Sequence, residues 1–177
     1  MLKILIVEDE TLLAETLKRL IELNPEFQVT AIAPDLQSAI EAAERNPPDL
    51  ALVDLQLANA TSGFSVAAKL HDAGIACLFT TGMAPPFPLP DLALGCLEKP
   101  FAEEDLLRAL REAEDILRGR SRLILRSRLP ETLQLYSDQP KPEEGAPAWI
   151  PGIRGRTSFA AKLMKLVRRP SSFRSAA

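Results

Sequence analysis

"LALVDLQL", residues 50–57, decides how the rest of the chain is read. Four apolar positions, Leu50 to Val53, describe a fully buried strand, yet Asp54 closes it. An unpaired carboxylate is expensive to bury, so a chain keeps one there when a partner neutralises it or when it reacts. The fold therefore has to be sought in what lies at the ends of the other apolar runs.

Working outward, short apolar runs alternate with helical patterns over residues 1–118. "KILIV" (3–7) predicts a strand, ended by Glu8 and Asp9. Leu13, Leu17, Leu20 and Ile21 have helical spacing and predict a helix over 11–23, stopped at Asn24-Pro25. "FQVTAIA" (27–33) is a second strand, and Asp35 is an N-cap for a helix from Leu36 to about Arg45. After the strand at 50–54, a helix is expected from about Phe64 to Ala73. "IACLFTT" (75–81) and "LGCLE" (94–98) follow as strands. The clearest helix is 102–118, with acids crowding its first turn, where the helix dipole favours them. This alternation predicts an α/β fold, a five-stranded doubly wound parallel sheet, with its site at the carboxyl ends of the strands.

Those ends carry Glu8 and Asp9, then Asp54, then Thr80 and Thr81, then Lys99 before Pro100. Three acids on one edge repel one another unless a hard cation sits among them, and Mg²⁺ suits oxygen ligands of this kind. Beside an ammonium and a hydroxyl, a metal-bound carboxylate is fitted to accept a phosphoryl group, with Asp54 as the nucleophile.

The charges divide the chain in two. Residues 1–118 hold 9 Lys+Arg against 20 Asp+Glu, and residues 119–177 hold 12 against 4. An acidic body with a basic extension implies parts with different partners. Residues 119–156, broken by Pro, Gly and charges, are expected to be an irregular linker. A basic amphipathic helix is expected over 157–170, on a stripe of Phe159, Leu163, Leu166 and Val167, and a disordered tail over 171–177. Such a helix can dock on a partner protein, on the acidic body of its own chain or on an anionic membrane, and no second helix is legible that would brace it as a DNA-recognition helix. No apolar run reaches a membrane span, no secretory signal is legible at the N-terminus, and Cys77 and Cys96 fit no metal spacing. These features point to a cytoplasmic protein. His71 reads as a plain surface residue.

The motifs "VEDE" (7–10), "LVDLQL" (52–57), "TTG" (80–82) and "EKPF" (98–101), in that order at successive strand ends, resemble the response-regulator receiver domain of bacterial two-component signalling. The resemblance covers about two thirds of the chain. It implies phosphorylation of Asp54 by a histidine kinase or histidine phosphotransfer protein. It also implies Mg²⁺ on Asp9, Asp54 and the Gln56 carbonyl, with Glu8 helping through water, and Thr81 and Lys99 on the phosphoryl oxygens. The peptide before Pro100 is then expected to be cis. The protein would be a phosphoacceptor rather than an enzyme. Its partners would be that kinase or phosphotransfer protein and a downstream protein met through 157–169, with a homodimer as a further candidate assembly.

Two departures stand beside the resemblance. Prolines 85, 86, 88 and 90 forbid the helix the family carries between its fourth and fifth strands. Cys96 occupies the position where the family has an aromatic that turns inward with the threonine, so that switch is absent. "LFTTGMA" (78–84) is also similar to a Phe-Ala-Thr-Gly-type motif of alphaproteobacterial stand-alone receivers, matching at Phe79, Thr81, Gly82 and Met83 but not at Thr80 or Ala84. The expectation is an atypical stand-alone response regulator with output by protein contacts. The rival readings are a receiver-fold scaffold that is never phosphorylated, a regulator meeting nucleic acid through its basic tail, and a hydrolytic Mg²⁺ enzyme.

Overall fold

The computed structural model describes residues 1–58, 62–120 and 129–136, which fall in one compact unit spanning Met1–Gln139. The helix expected over 157–170 and the tail over 171–177 lie outside the described residues.

The chain runs β1 (Leu2–Val7), α1 (Thr11–Glu22), β2 (Phe27–Ala33), α2 (Leu36–Arg45), β3 (Leu50–Asp54), α3 (Gly63–Asp72), β4 (Ala76–Thr81), β5 (Gly95–Glu98), α4 (Glu103–Leu117) and β6 (Leu133–Leu135). The strands form one sheet in the order β2-β1-β3-β4-β5-β6. The first five are parallel to their neighbours, and β6 runs antiparallel to β5.

Period-two alternation sorts the strand side chains onto two faces. Leu2, Ile4, Ile6, Leu50, Leu52, Leu78, Leu97 and Leu133 pack with Ala14, Leu17 and Ile21 of α1 and with Leu106, Ala109, Leu110 and Ala113 of α4. The opposite face carries α2 and α3, where Phe64 meets Phe79 edge-on at 5.8 Å between ring centroids. The central strand β3 is buried along its whole length, as a strand covered on both faces must be. α2 starts on a reciprocal cap: the Ser38 amide donates to Asp35 Oδ1 at 2.8 Å, and the Asp35 amide donates to Ser38 Oγ at 3.3 Å. The two Ser38 bonds hold the Asp35 carboxyl below its ordinary range.

The five-stranded parallel sheet expected from the sequence needs a correction. There are six strands, and the sixth comes from the stretch 119–156 that reads as irregular. A three-residue strand among prolines and charges leaves no periodic trace. Its position is set by the partner strand: a Cβ on Gly95 would run into Gln134 O and would meet Leu135 Cα at 3.0 Å. Gly95 is therefore the residue whose missing side chain admits β6. Between β4 and β5, residues 82–94 form bends and turns with no helix, held down by the buried Leu89, Leu92 and Ala93.

Because Leu133 is buried with the α1–α4 core, Leu133→Ala is expected to lower unfolding free energy by about 2 kcal/mol. Gly95→Ala should cost at least as much, because backbone stands in the way of its methyl group. Urea unfolding followed by circular dichroism measures both. Unchanged midpoints would mean that β6 is not part of the cooperative unit.

Candidate functional site

Three strands deliver the charged groups. β1 ends into Glu8 and Asp9, β3 ends on Asp54, and β5 runs into Lys99. The order β1-β3-β4-β5 sets all three ends on the same edge of the sheet. There Lys99 Nζ lies 2.7 Å from Asp54 Oδ2 and 2.9 Å from Glu8 Oε2. Both acids are buried, Glu8 at 3% and Asp54 at 6% exposure, so one ammonium neutralises two carboxylates almost out of water.

The remaining oxygens are also occupied. Asp54 Oδ1 accepts from the Gln56 amide at 2.8 Å, and Glu8 Oε1 accepts from the Glu10 amide at 3.2 Å. Burial raises the Glu8 carboxyl above its ordinary range, aided by the neighbouring Asp54 charge and only partly opposed by Lys99. For Lys99, burial works to lower its pKa, but hydrogen bonds and charge from Asp54 and Glu8 together outweigh it and raise it.

Asp9 and Thr81 are placed differently. Asp9 Oδ2 accepts from the Ala58 amide at 3.2 Å, tying the end of β1 to the loop after Asp54. The buried Thr81 hydroxyl exchanges bonds with Met83, donating to its carbonyl at 3.2 Å and accepting from its amide at 3.3 Å. The Thr81 carbonyl accepts from the Lys99 amide at 2.7 Å. The Lys99–Pro100 peptide is cis. Cys96 stands apart from this cluster, buried within β5.

The metal set expected from the sequence, Asp9, Asp54, Gln56 and Glu8, is not gathered as one donor cluster. Among the described residues, no group of three His, Cys, Asp or Glu side chains is close enough to hold a metal ion. The physical reason is visible in the hydrogen bonds: Glu8 and Asp54 turn onto Lys99, and Asp9 turns onto Ala58. The donor chemistry nonetheless fits Mg²⁺, which takes oxygen ligands, commonly one or two carboxylates with waters and phosphate, and needs no trio.

One positioning residue escapes a sequence reading. A Cβ on Gly63, the first residue of α3, would run into Asp54 O and come within 2.6 Å of Leu55 Cα. The start of α3 therefore lies directly against the backbone of Asp54. A glycine at a loop-to-helix junction was the available signal, but it reads equally well as an ordinary turn residue.

The strand order, the carboxylate–ammonium cluster and the hydroxyl on β4 define a receiver-type architecture. The response regulator receiver domain model matches residues 4–111, and the chain belongs to that family. Over 117 residues it is 32% identical to the sensory transduction protein LytT of Bacillus anthracis, a match covering 63% of this chain and 47% of that one. Its fold resembles a CheY-like receiver domain protein from Methanospirillum hungatei JF-1, with a TM-score of 0.60 and 26% identity over 68% of this chain and 99% of that one. It also resembles the signal receiver domain of a modulated diguanylate cyclase from Desulfovibrio desulfuricans G20, with a TM-score of 0.59 and 28% identity over the same shares. The chain spans about half the length, or less, of the curated relatives it matches. Among the described residues no helix is long and apolar enough to cross a membrane.

Removing the shared cation should expose the cost of the cluster. Lys99→Met leaves two buried carboxylates facing each other and is expected to destabilise by about 3–5 kcal/mol at pH 7. Adding Asp54→Asn should restore part of that loss, and a urea double-mutant cycle measures the coupling. Purely additive effects would contradict the shared-ammonium geometry.

The thiols allow a separate check. Burial pushes Cys77 up to about 12 and Cys96 up to about 11. Both should stay inert to a disulfide reagent at pH 8 in the folded protein and react in denaturant. Rapid reaction of either in the native state would contradict its burial.

Proposed function

We propose that this chain is a phosphoacceptor of two-component signalling, receiving a phosphoryl group on Asp54 from a phosphohistidine on a histidine kinase or phosphotransfer protein. The observation that carries the reading is the buried Asp54 carboxylate held 2.7 Å from Lys99 Nζ at the carboxyl edge of a parallel sheet. In the reaction, an Asp54 carboxylate oxygen attacks phosphorus. A phosphorus–oxygen bond forms, the phosphorus–nitrogen bond to the donor imidazole breaks, and the electron pair returns to the imidazole.

The residues around Asp54 have separate tasks. Lys99 leaves its bond to Asp54 Oδ2 for a phosphoryl oxygen and keeps the site neutralised as charge develops there. Thr81 exchanges its bond to the Met83 carbonyl for a hydrogen bond to a second phosphoryl oxygen. The Gln56 amide on Oδ1 fixes the rotamer of the nucleophile. Mg²⁺, held by Asp9, Asp54 and the Gln56 carbonyl with Glu8 acting through water, would neutralise the remaining phosphoryl charge.

Output is inferred to run through protein contacts. Cys96 offers no aromatic ring to move with Thr81, and residues 82–94 take the place where the family carries a helix. The matches at Phe79, Thr81, Gly82 and Met83 support a place near receivers with the Phe-Ala-Thr-Gly-type motif. Two free, buried thiols fit a reducing compartment, in keeping with the cytoplasm.

The test is intact mass after incubation with a small phosphodonor. One phosphoryl adduct is expected per chain, dependent on Mg²⁺ and absent from Asp54→Asn. An adduct that persists in Asp54→Asn refutes Asp54 as the acceptor. No adduct from either the small donor or a panel of phosphorylated histidine kinases favours the scaffold reading instead.

A further inference from the structure

A cavity of about 590 Å³ opens over β5 and β6. The register pairs Cys96 with Gln134, and the Glu98 amide donates to the Thr132 carbonyl at 2.8 Å. Residues directly opposite in an antiparallel pair share a face, so Cys96, Glu98, Thr132, Gln134 and Tyr136 form one floor. Leu97 and Leu133 alternate to the other face and join the α1–α4 core. Ala84 and Pro88 from the crossover, with Leu129 and Pro130 ahead of β6, add apolar walls.

Two features leave this space open. Residues 82–94 lay no helix across the β4–β5 crossover, and the floor carries Cys96, a small side chain. The volume is that of a small-molecule pocket, which runs from roughly 300 to 1,000 Å³.

The lining has charge of one sign. Glu98 and Glu131 bring carboxylates to it, and among the described residues neither has an ion-pair partner. No Lys, Arg or His is among the described residues that line it. Across the strand pair from Glu98, the Thr132 hydroxyl is buried and makes no hydrogen bond. Native structures seldom leave a buried hydroxyl unpaired. The Tyr136 hydroxyl, by contrast, is turned onto the Cys96 thiol. A hydroxyl oxygen and a carboxylate side by side both accept, and they suit a positively charged donor with more than one N–H. The apolar walls suit a body that carries no further charge. A quaternary ammonium would ask for an aromatic cage, and Tyr136 is the one aromatic residue on the described lining.

We infer that the cavity over β5 and β6 is a binding site for a small primary amine with an apolar body. Its ammonium donates to the Glu98 carboxylate and to the Thr132 hydroxyl, and its body lies against Pro88, Leu129 and Pro130. Glu131 adds a second negative charge to the lining. The site uses none of the groups around Asp54 and stands apart from the phosphoacceptor reading.

Tyr136 is the only tyrosine in the chain and is 2% exposed on the cavity floor, so labelling with 3-fluorotyrosine places a single fluorine reporter there. The probe is hexylamine, protonated at pH 7, titrated into the full chain without Mg²⁺ or phosphodonor. Hexanol and hexanoate test the charge, ethylamine tests the apolar body, and Nα-acetyl-lysine N-methylamide tests a lysine side chain as the source of the ammonium. Hexylamine is expected to shift the resonance saturably with a roughly millimolar Kd, as suits a ligand of about seven non-hydrogen atoms. Affinity should fall about tenfold or more in Glu98→Gln, and by a smaller factor in Thr132→Val. Hexanol and ethylamine should bind more weakly, and hexanoate should give no saturable shift. Glu98 is exposed, so its substitution should leave the urea midpoint unchanged.

No saturable shift with hexylamine would overturn the site. Equal affinity in Glu98→Gln, or equal affinity for hexanol or hexanoate, would overturn recognition of an ammonium there. Ethylamine binding as tightly as hexylamine would overturn the role of the apolar walls. The blocked lysine binding as tightly as hexylamine would overturn the free amine in favour of a lysine of a partner protein. None of these outcomes bears on Asp54.

Discussion

The sharing of one ammonium by Glu8 and Asp54 is the constraint on which the arrangement depends. Either carboxylate alone, buried to this degree, would cost several kcal/mol without a counter-charge. Lys99 serves both at 2.9 and 2.7 Å, which requires the ends of β1, β3 and β5 to arrive at one point. Strand order and register are thereby coupled to electrostatics: slipping β5 by one residue would turn the lysine to the other face. On the proposed phosphoacceptor reading, the same sharing also serves the chemistry. A cation divided between two acids is not committed to either, so in the proposed reaction Lys99 would move to an incoming phosphoryl oxygen while Glu8 still holds part of its charge.

How much of this was legible in the sequence follows from what each signal depends on. β3 was legible because a run buried on both faces reads as continuous apolar residues, and α4 because its apolar stripe and acidic first turn are strong. The observed elements from β1 to α4 keep the expected order, with ends differing by a residue or so. Glu8, Asp54 and Lys99 could be brought together on paper because parallel strands carry their ends to one edge. What could not be read was their pairing. That Glu8 rather than Asp9 turns onto Lys99 depends on which face of the chain each residue occupies as it leaves β1.

β6 escaped for a different reason. "LQL" at 133–135 is too short to show alternation, and its neighbours Pro130 and Glu131 read as loop. Its only trace lies 38 residues earlier, in a glycine at the first position of a four-residue strand. A glycine there weakens a strand unless another backbone passes close by, and Gln134 and Leu135 are that backbone. Pairing β5 on its outer side also covers an edge that would otherwise offer a parallel sheet's central-type strand to solvent.

The unexpected β6 and the expected helix-free crossover act on the same side chain, Lys99. The end of β5 is held from both sides: the Lys99 amide donates to the Thr81 carbonyl at 2.7 Å, and the Glu98 amide donates to the Thr132 carbonyl at 2.8 Å. A four-residue strand with neither a long ladder nor a helix in the crossover before it would be a weak platform for a lysine that must span two acids. β6 supplies the second rail. The position of the Lys99 ammonium is thus determined by Thr81 on one flank and by residues 132–136 on the other. For that reason residues 132–136 belong to the physics of the site, although none of them carries a charge.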